Sequence, residues 1–351
     1  MPTRVLILSA GIGEGHDLPA RMLADGLARL DPEVQAPILD GLNAMGRLSS
    51  LVADDGSDFM FSKATWLFDL TYLLIARFPP TRGLLRLIAA RSPDVIVSTY
   101  PGVTEVLGHL RARGRVAVPV VSAITDLAGL HYWAHRGVDL HLITEPESEA
   151  EVRRIAPGSR VVCVRGLTSP AFEEAVGQDA ARRSLGLPAD GPLIVVSGGG
   201  WAVGDLAGAT AAALGAGPQA TVLALCGRSE ATRADLQLRF AGETRLRTLG
   251  FTDQMGDVLG AADVLIHSTA GLTVFEARLR GCRVISYGWG VSHIRLNNAA
   301  YRRMGLAQVA GDRDELGPAL RRALAAPRVP DTHYAARPDA AAEVLALTGA
   351  P

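Results

Sequence analysis

Short apolar runs alternate along this chain with longer segments in which apolar residues recur every three or four positions. The runs fall at 4–9, 36–39, 94–98, 118–124, 139–143 and 161–164, then at 192–196, 221–225, 246–250, 263–266 and 283–287. Unbroken apolar runs read as strands buried on both faces, and their alternation with helical patterns predicts βαβ units and parallel sheets. The series restarts near Gly166-Leu167-Thr168-Ser169-Pro170. Each half opens with a strand that enters a glycine-rich turn. Thr3 to Ser9 leads into Ala10-Gly11-Ile12-Gly13-Glu14-Gly15-His16, and Leu193 to Val196 leads into Ser197-Gly198-Gly199-Gly200. The expectation is an α/β chain with two Rossmann-like domains, 1–166 and 167–330, facing each other across a cleft, and a helical tail over 331–351. Ligands of such sheets bind outside the carboxyl ends of the strands.

The richest stretch is 263–299. A strand ends in Ser268-Thr269-Ala270-Gly271, and a helical pattern runs from Thr273 through Leu279. Unpaired amides and the helix dipole make such a turn an anion site. Glu276 lies one turn into that helix, where a carboxylate can accept the hydroxyls of a ribose. At the amino terminus, Gly13 and Gly15 let the backbone approach a ligand, and His16 stands beside them at a strand end. The glycines there do not complete the dinucleotide fingerprint, but Asp40 after the second run keeps a nicotinamide-dependent oxidoreductase as a rival reading. Three residues at strand ends of the first half qualify as a general base: Asp126, His16 and His131.

Net charge is −1 on 351 residues, which gives no electrostatic case for nucleic acid. Cys163, Cys226 and Cys282 are widely spaced, and no cysteine–histidine cluster has ligand spacing, so neither a disulfide framework nor a bound metal is expected. The first strand begins almost at once, and no apolar stretch reaches about 20 residues, so a cytoplasmic protein is expected, soluble or peripheral on the inner face of the cell membrane. One stretch, 59–91, breaks the rhythm. Trp66, Leu67, Leu70, Leu73 and Leu74 share a helical face, rimmed by Lys63, Arg77, Arg82, Arg86 and Arg91. It reads either as an amphipathic pair docking on an anionic membrane or as an ordinary core helix.

Several motifs occur in one order: ILSAGIGEGH, SPDVIVSTYPGVTEVLGHL, VPVVSAITDLAGLHYWAHRGVDLHLI, RGLTSPAF, VVSGGG, LCGRSE, GFTDQMGDVLGAADVLIHSTAGLTVFEA and NNAAYRRMGLA. Together they resemble the diacylglycerol glycosyltransferases of the monogalactosyldiacylglycerol synthase type, grouped with the peptidoglycan N-acetylglucosaminyltransferases. The resemblance implies a GT-B fold, inversion at the anomeric carbon, a UDP-sugar as co-substrate with no further cofactor, and no catalytic metal. It implies a donor site in the second half. Glu276 would hold the ribose. Ser268, Thr269, Ala270, Gly271, Leu272, Thr273, Gly199 and Gly200 would surround the diphosphate. Gly227 and Arg228 would face the leaving group, Phe251 and Met255 the base, and His293, Asn297 and Asn298 the sugar. On the acceptor side stand Gly13, Gly15, Trp66, Tyr100 and Trp133, facing a lipid or other hydrophobic molecule. A soluble enzyme glycosylating a small natural product is the alternative. The chain departs from the usual family pattern at His267-Ser268-Thr269-Ala270-Gly271 and at His293, which leaves the sugar open.

Overall fold

Every apolar run read from the sequence is a strand in the computed structural model, which describes residues 2–10, 14–45, 81–127, 129–174, 176–268, 271–288 and 292–349. The chain divides into two units, Met1–Ser169 with Ala336–Pro351, and Pro170–Ala335.

The first unit runs β1 (Val5–Ser9), α1 (Glu14–Leu30), β2 (Ile38–Asp40), α2 (Gly41–Met45), α3 (Thr81–Arg91), β3 (Val95–Ser98), α4 (Pro101–Ala112), β4 (Val120–Ile124), α5 (Leu130–Trp133), β5 (Leu140–Ile143), α6 (Glu149–Ile155) and β6 (Arg160–Cys163). Its sheet is parallel in the order β2-β1-β3-β4-β5-β6. The unbroken apolar run of β1 is explained by its two faces. Val5 and Ile7 join Leu23 and Leu27 of α1 on one side, while Leu6 and Leu8 join Leu42, Leu84, Val103 and Leu107 on the other. Each such side chain stabilises by about 1.5–3 kcal/mol on burial.

The second unit runs α7 (Gln178–Ser184), β7 (Leu193–Ser197), α8 (Leu206–Leu214), β8 (Thr221–Leu225), α9 (Glu230–Arg239), β9 (Leu246–Leu249), α10 (Met255–Ala261), β10 (Val264–His267), α11 (Leu272–Leu279), β11 (Arg283–Tyr287), α12 (Ser292–Met304), β12 (Gln308–Ala310) and α13 (Arg313–Ala325). Its parallel sheet has the order β12-β11-β10-β7-β8-β9. β12 was not foreseen, being a three-residue edge strand that includes Gln308. The tail is not separate: α14 (Ala340–Leu345) returns to the first unit, packing Ala340, Ala341 and Val344 against Leu23 and Leu27. Ion pairs Arg160–Glu343 (2.5 Å) and Arg165–Asp339 (3.2 Å) hold it.

Two reversals of strand order follow. In the first unit the order turns between β1 and β3; in the second it turns between β7 and β10, whose ends pair Ser197 with His267. Those are the positions where open α/β sheets hold ligands.

Candidate active site

At the second reversal the chain is built to bring backbone close to a ligand. After β7, Gly199–Trp201 form a single 3-10 turn, with the Gly199 amide donating to Ser197 Oγ at 3.2 Å. The loop after β8 lies against it: the Arg228 amide donates to the Gly200 carbonyl at 2.8 Å. Gly227 has a φ of 55°, and any Cβ there would collide with that carbonyl, so a glycine is required for both reasons. The loop after β10 continues the wall, since Gly204 abuts Ser268, which is buried.

α11 begins at Gly271, whose φ of 87° and ψ of −142° suit glycine alone. No side chain caps the helix, so the amides of Leu272 and Thr273 lie at a dipole end that favours an anion. Glu276, one turn on, is only 5% exposed. Beneath the turn, His267 is fully buried. Burial pulls its imidazole down to about 4, against a hydrogen bond with the Ser197 backbone, so the ring is neutral at ordinary pH. Arg228 and Phe251 are both exposed, and the guanidinium stacks 4.0 Å from the ring centroid. Met255, half-buried, starts α10 just after Phe251.

The paired asparagines of α12 have different roles. Asn298 is a structural clamp: its Oδ1 accepts from Ser286 Oγ at 2.6 Å and its amide donates to the Gly288 carbonyl at 3.1 Å. Asn297 is 1% exposed, and neither its Oδ1 nor its Nδ2 has a partner. A buried amide costs free energy unless something satisfies it, and among the described residues the Asn297 amide has no partner to do so.

At the first reversal the site is made of side chains. His16 Nδ1 lies 3.1 Å from the Thr99 carbonyl, and its ring meets Tyr100 edge-on at 5.0 Å and Trp133 at 5.8 Å. Pro19 lies inside α1 and has no amide to offer the carbonyl of Gly15. Thr125 supplies the missing donor, its hydroxyl reaching the Gly15 carbonyl at 3.3 Å. That bond ties the end of β4 to the first turn of α1 and sets Asp126 next to it in sequence. Ser9 adds a bond to Asp17 at 2.5 Å. Asp126 is half-buried and accepts from the Leu127 amide at 2.7 Å. His131 is at the surface, its ring tilted at 45° against that of Tyr132 with centroids 3.8 Å apart. Partial desolvation lowers its pKa, against the attraction of Glu151.

A model of the monogalactosyldiacylglycerol synthase family matches residues 69–167. The chain is 30% identical over 236 residues to a probable chloroplastic monogalactosyldiacylglycerol synthase of Glycine max, covering 62% of this chain and 42% of that one. It is 22% identical over 330 residues to a processive diacylglycerol β-glucosyltransferase of Bacillus subtilis, covering 89% of this chain and 85% of the other. Among solved structures, Acinetobacter baumannii MurG superposes with a TM-score of 0.58 at 18% identity, over 95% of this chain and 97% of that one. The chain has the GT-B fold, and its sequence is similar to those of glycosyltransferases.

In this fold Gly199, Gly200, Gly227, Arg228, Ser268, Gly271, Leu272, Thr273 and Glu276 all fall on the loops and helix around the second reversal. Gly13, Trp66, Thr269, Ala270 and the side chain of His293 lie outside the described residues, as does most of 59–91. The described end of that stretch, α3, packs Leu84, Leu85, Leu87 and Ile88 on its own core and leaves Arg82, Arg86 and Arg91 exposed. Gly15 is exposed, while Tyr100 and Trp133 are buried beside His16 and act on its placement. Sequence reasoning missed Asp205. It caps α8 through the Gly208 amide (3.0 Å) and accepts from Tyr287 Oη (2.8 Å) and Arg313 Nε (2.7 Å), fixing the chain next to Gly204. It also missed Asp312-Arg313-Asp314, an Asp-x-Asp triplet with another use: Asp312 caps α13 and Arg313 pairs with Asp205. Asp40 belongs to a turn, accepting both amides of Asn43.

Proposed function

We propose that this chain is a glycosyltransferase that moves a sugar from a UDP-sugar to a hydroxyl of a lipid acceptor, releasing UDP and inverting the anomeric carbon without a catalytic metal. The observation that carries the reading is Glu276, a buried carboxylate one turn into a helix whose own start is an uncapped glycine at the reversal of the second sheet. The carboxylate suits the ribose hydroxyls, and the amides of Leu272 and Thr273 suit the diphosphate. The printed names of the relatives support a diacylglycerol-type acceptor.

Transfer is a single displacement. Asp126 takes the proton of the acceptor hydroxyl, the oxygen bonds to the anomeric carbon, and the bond from that carbon to the diphosphate oxygen breaks. The electron pair leaves with the diphosphate, whose charge meets helix amides and Arg228. His16 and His131 orient the acceptor. Asn297, buried and unpaired, takes the sugar's hydroxyls.

A screen of UDP-, dTDP- and GDP-sugars for thermal stabilisation tests the donor. UDP-sugars should raise the melting temperature most; stabilisation by dTDP- or GDP-sugars alone rejects the reading. A second reading, a soluble enzyme acting on a small hydrophobic molecule, is favoured by α3, which turns its leucines to its own core. Co-sedimentation with anionic liposomes separates the two, because only the lipid-acting enzyme should bind them, and less so at high salt.

A further inference from the structure

Away from the strand-end loops, three ligand-bearing side chains meet on the first unit. Glu105 and His109 are four residues apart on α4 and so share a face. His135, in the turn after α5, is laid across that helix. The ring lies so close to Gly108 that any Cβ there would strike it, and Gly137 approaches the Gly108 carbonyl just as closely. Two glycines therefore make the room that lets an imidazole reach this face. One ligand atom from each of Glu105, His109 and His135 lies within 4.8 Å of the others, and the two imidazole centroids are 4.8 Å apart. The side chains of Glu105 and His109 are only 12% and 27% exposed.

The bonding around the rings fits ligation. His109 Nδ1 lies 3.0 Å from the Glu105 carbonyl; donating to it leaves the Nε2 lone pair available, as is usual for a ligating histidine. The backbone of the His135 turn is itself held, since its amide donates to His141 Nε2 at 3.2 Å.

We propose that Glu105, His109 and His135 bind a first-row divalent cation, zinc by preference, which ties α4 to the turn that follows α5. Two imidazoles and one carboxylate are the nitrogen–oxygen set that zinc accepts, with water in the fourth position. The ligand atoms, now within 4.8 Å of one another, must settle at about 3.3 Å, the edge of a tetrahedron with bonds of about 2.0–2.1 Å. His135 Nδ1 also accepts from the Gly137 amide at 2.9 Å, and ligation through either ring nitrogen gives up that bond, since Nδ1 then holds either the metal or the ring proton. Both requirements weaken the binding. The bound ion has a structural part: α5, which carries His131 and Trp133, ends two residues before His135.

The test is calorimetric titration of the chelator-treated full chain with zinc sulfate alone. One zinc should bind per chain, and zinc should raise the melting temperature. His109→Ala and Glu105→Gln should each weaken binding by about tenfold or more, while His333→Ala, altering a histidine of the second unit, should not. Circular dichroism checks each variant, and if His109→Ala does not fold, Glu105→Gln decides alone. Zinc binding only above about 0.1 mM, or equal binding by the wild type and the folded variants, overturns the proposal.

Discussion

The two sheet reversals use different materials. The second is a wall of backbone: Gly199, Gly200, Gly227 and Gly271 bring amides forward, and Glu276 is the one buried carboxylate on the helix they introduce. The first is a cluster of side chains, in which His16 is held between the Thr99 carbonyl and the rings of Tyr100 and Trp133. Backbone suits an invariant group such as a diphosphate, whose charge is met by fixed dipoles. Side chains suit proton exchange and an acceptor of variable shape. The division of labour in the proposed reaction follows from that contrast.

The largest effect should come from the side-chain region. Asp126→Asn keeps the hydrogen bond to the Leu127 amide but cannot take a proton, and should lower kcat by about 10²–10⁴. Near-normal kcat in Asp126→Asn, with an inactive His16→Ala, would move the base to His16. In the backbone region, Gly227→Ala imposes both a disfavoured φ and a collision with the Gly200 carbonyl. It should cost about 1–3 kcal/mol of stability, read in denaturant titrations. An unchanged midpoint would show that the two loops are not in fact pressed together.

A third prediction concerns pH. His135, His141 and His267 are held down to about 4, chiefly by burial, against 6.5 when unfolded. Below 6.5 the unfolded chain takes up protons that the fold refuses, so stability is fully present above that pH and declines as pH falls towards 4. The melting temperature should drop across this window, and less steeply in His267→Asn. A flat profile between about pH 7 and about pH 5 would contradict the neutral buried rings. The smallest effect should be that of Arg228→Ala. Its exposed stack on Phe251 is worth about 0.5–1 kcal/mol, so UDP affinity should fall only a few-fold and more at low salt, by calorimetry.

The same contrast explains what could be read in advance. Glycine turns after apolar runs are local patterns, so both reversals and the helix bearing Glu276 were legible from the chain, as were eleven of the twelve strands. β12 was not, because an edge strand of three residues needs no long apolar run. The helix before β7 spans only Gln178–Ser184. Ahead of it Pro170–Phe172 forms a 3-10 turn, and the Arg280 guanidinium binds the Ala171 carbonyl of that turn and the Glu174 carbonyl just after it. That partner is more than a hundred residues away in sequence. Long separations also hid Thr125 on the Gly15 carbonyl, Asp205 beneath Tyr287 and Arg313, and His135 over Gly108. Pro19 was a local hint of the first, since a proline inside a helix leaves a carbonyl in need of a donor. The adjacent Asn297 and Asn298 look alike in sequence and are both buried, and only their bonding tells them apart: Asn298 is tied to Ser286 and Gly288, while the Asn297 amide has no partner among the described residues.

The most direct test of the central claim is UDP binding, measured by calorimetry on the wild type, Glu276→Ala and Asp126→Asn, with turnover followed in parallel. Loss of the charge-assisted bond to ribose should cost Glu276→Ala about 1.5–3 kcal/mol, roughly a 10- to 100-fold weaker affinity. Asp126→Asn should bind UDP as the wild type does while losing turnover. Unchanged UDP affinity in a folded Glu276→Ala, or UDP binding lost in Asp126→Asn, would contradict the assignment of donor and acceptor chemistry to the two units.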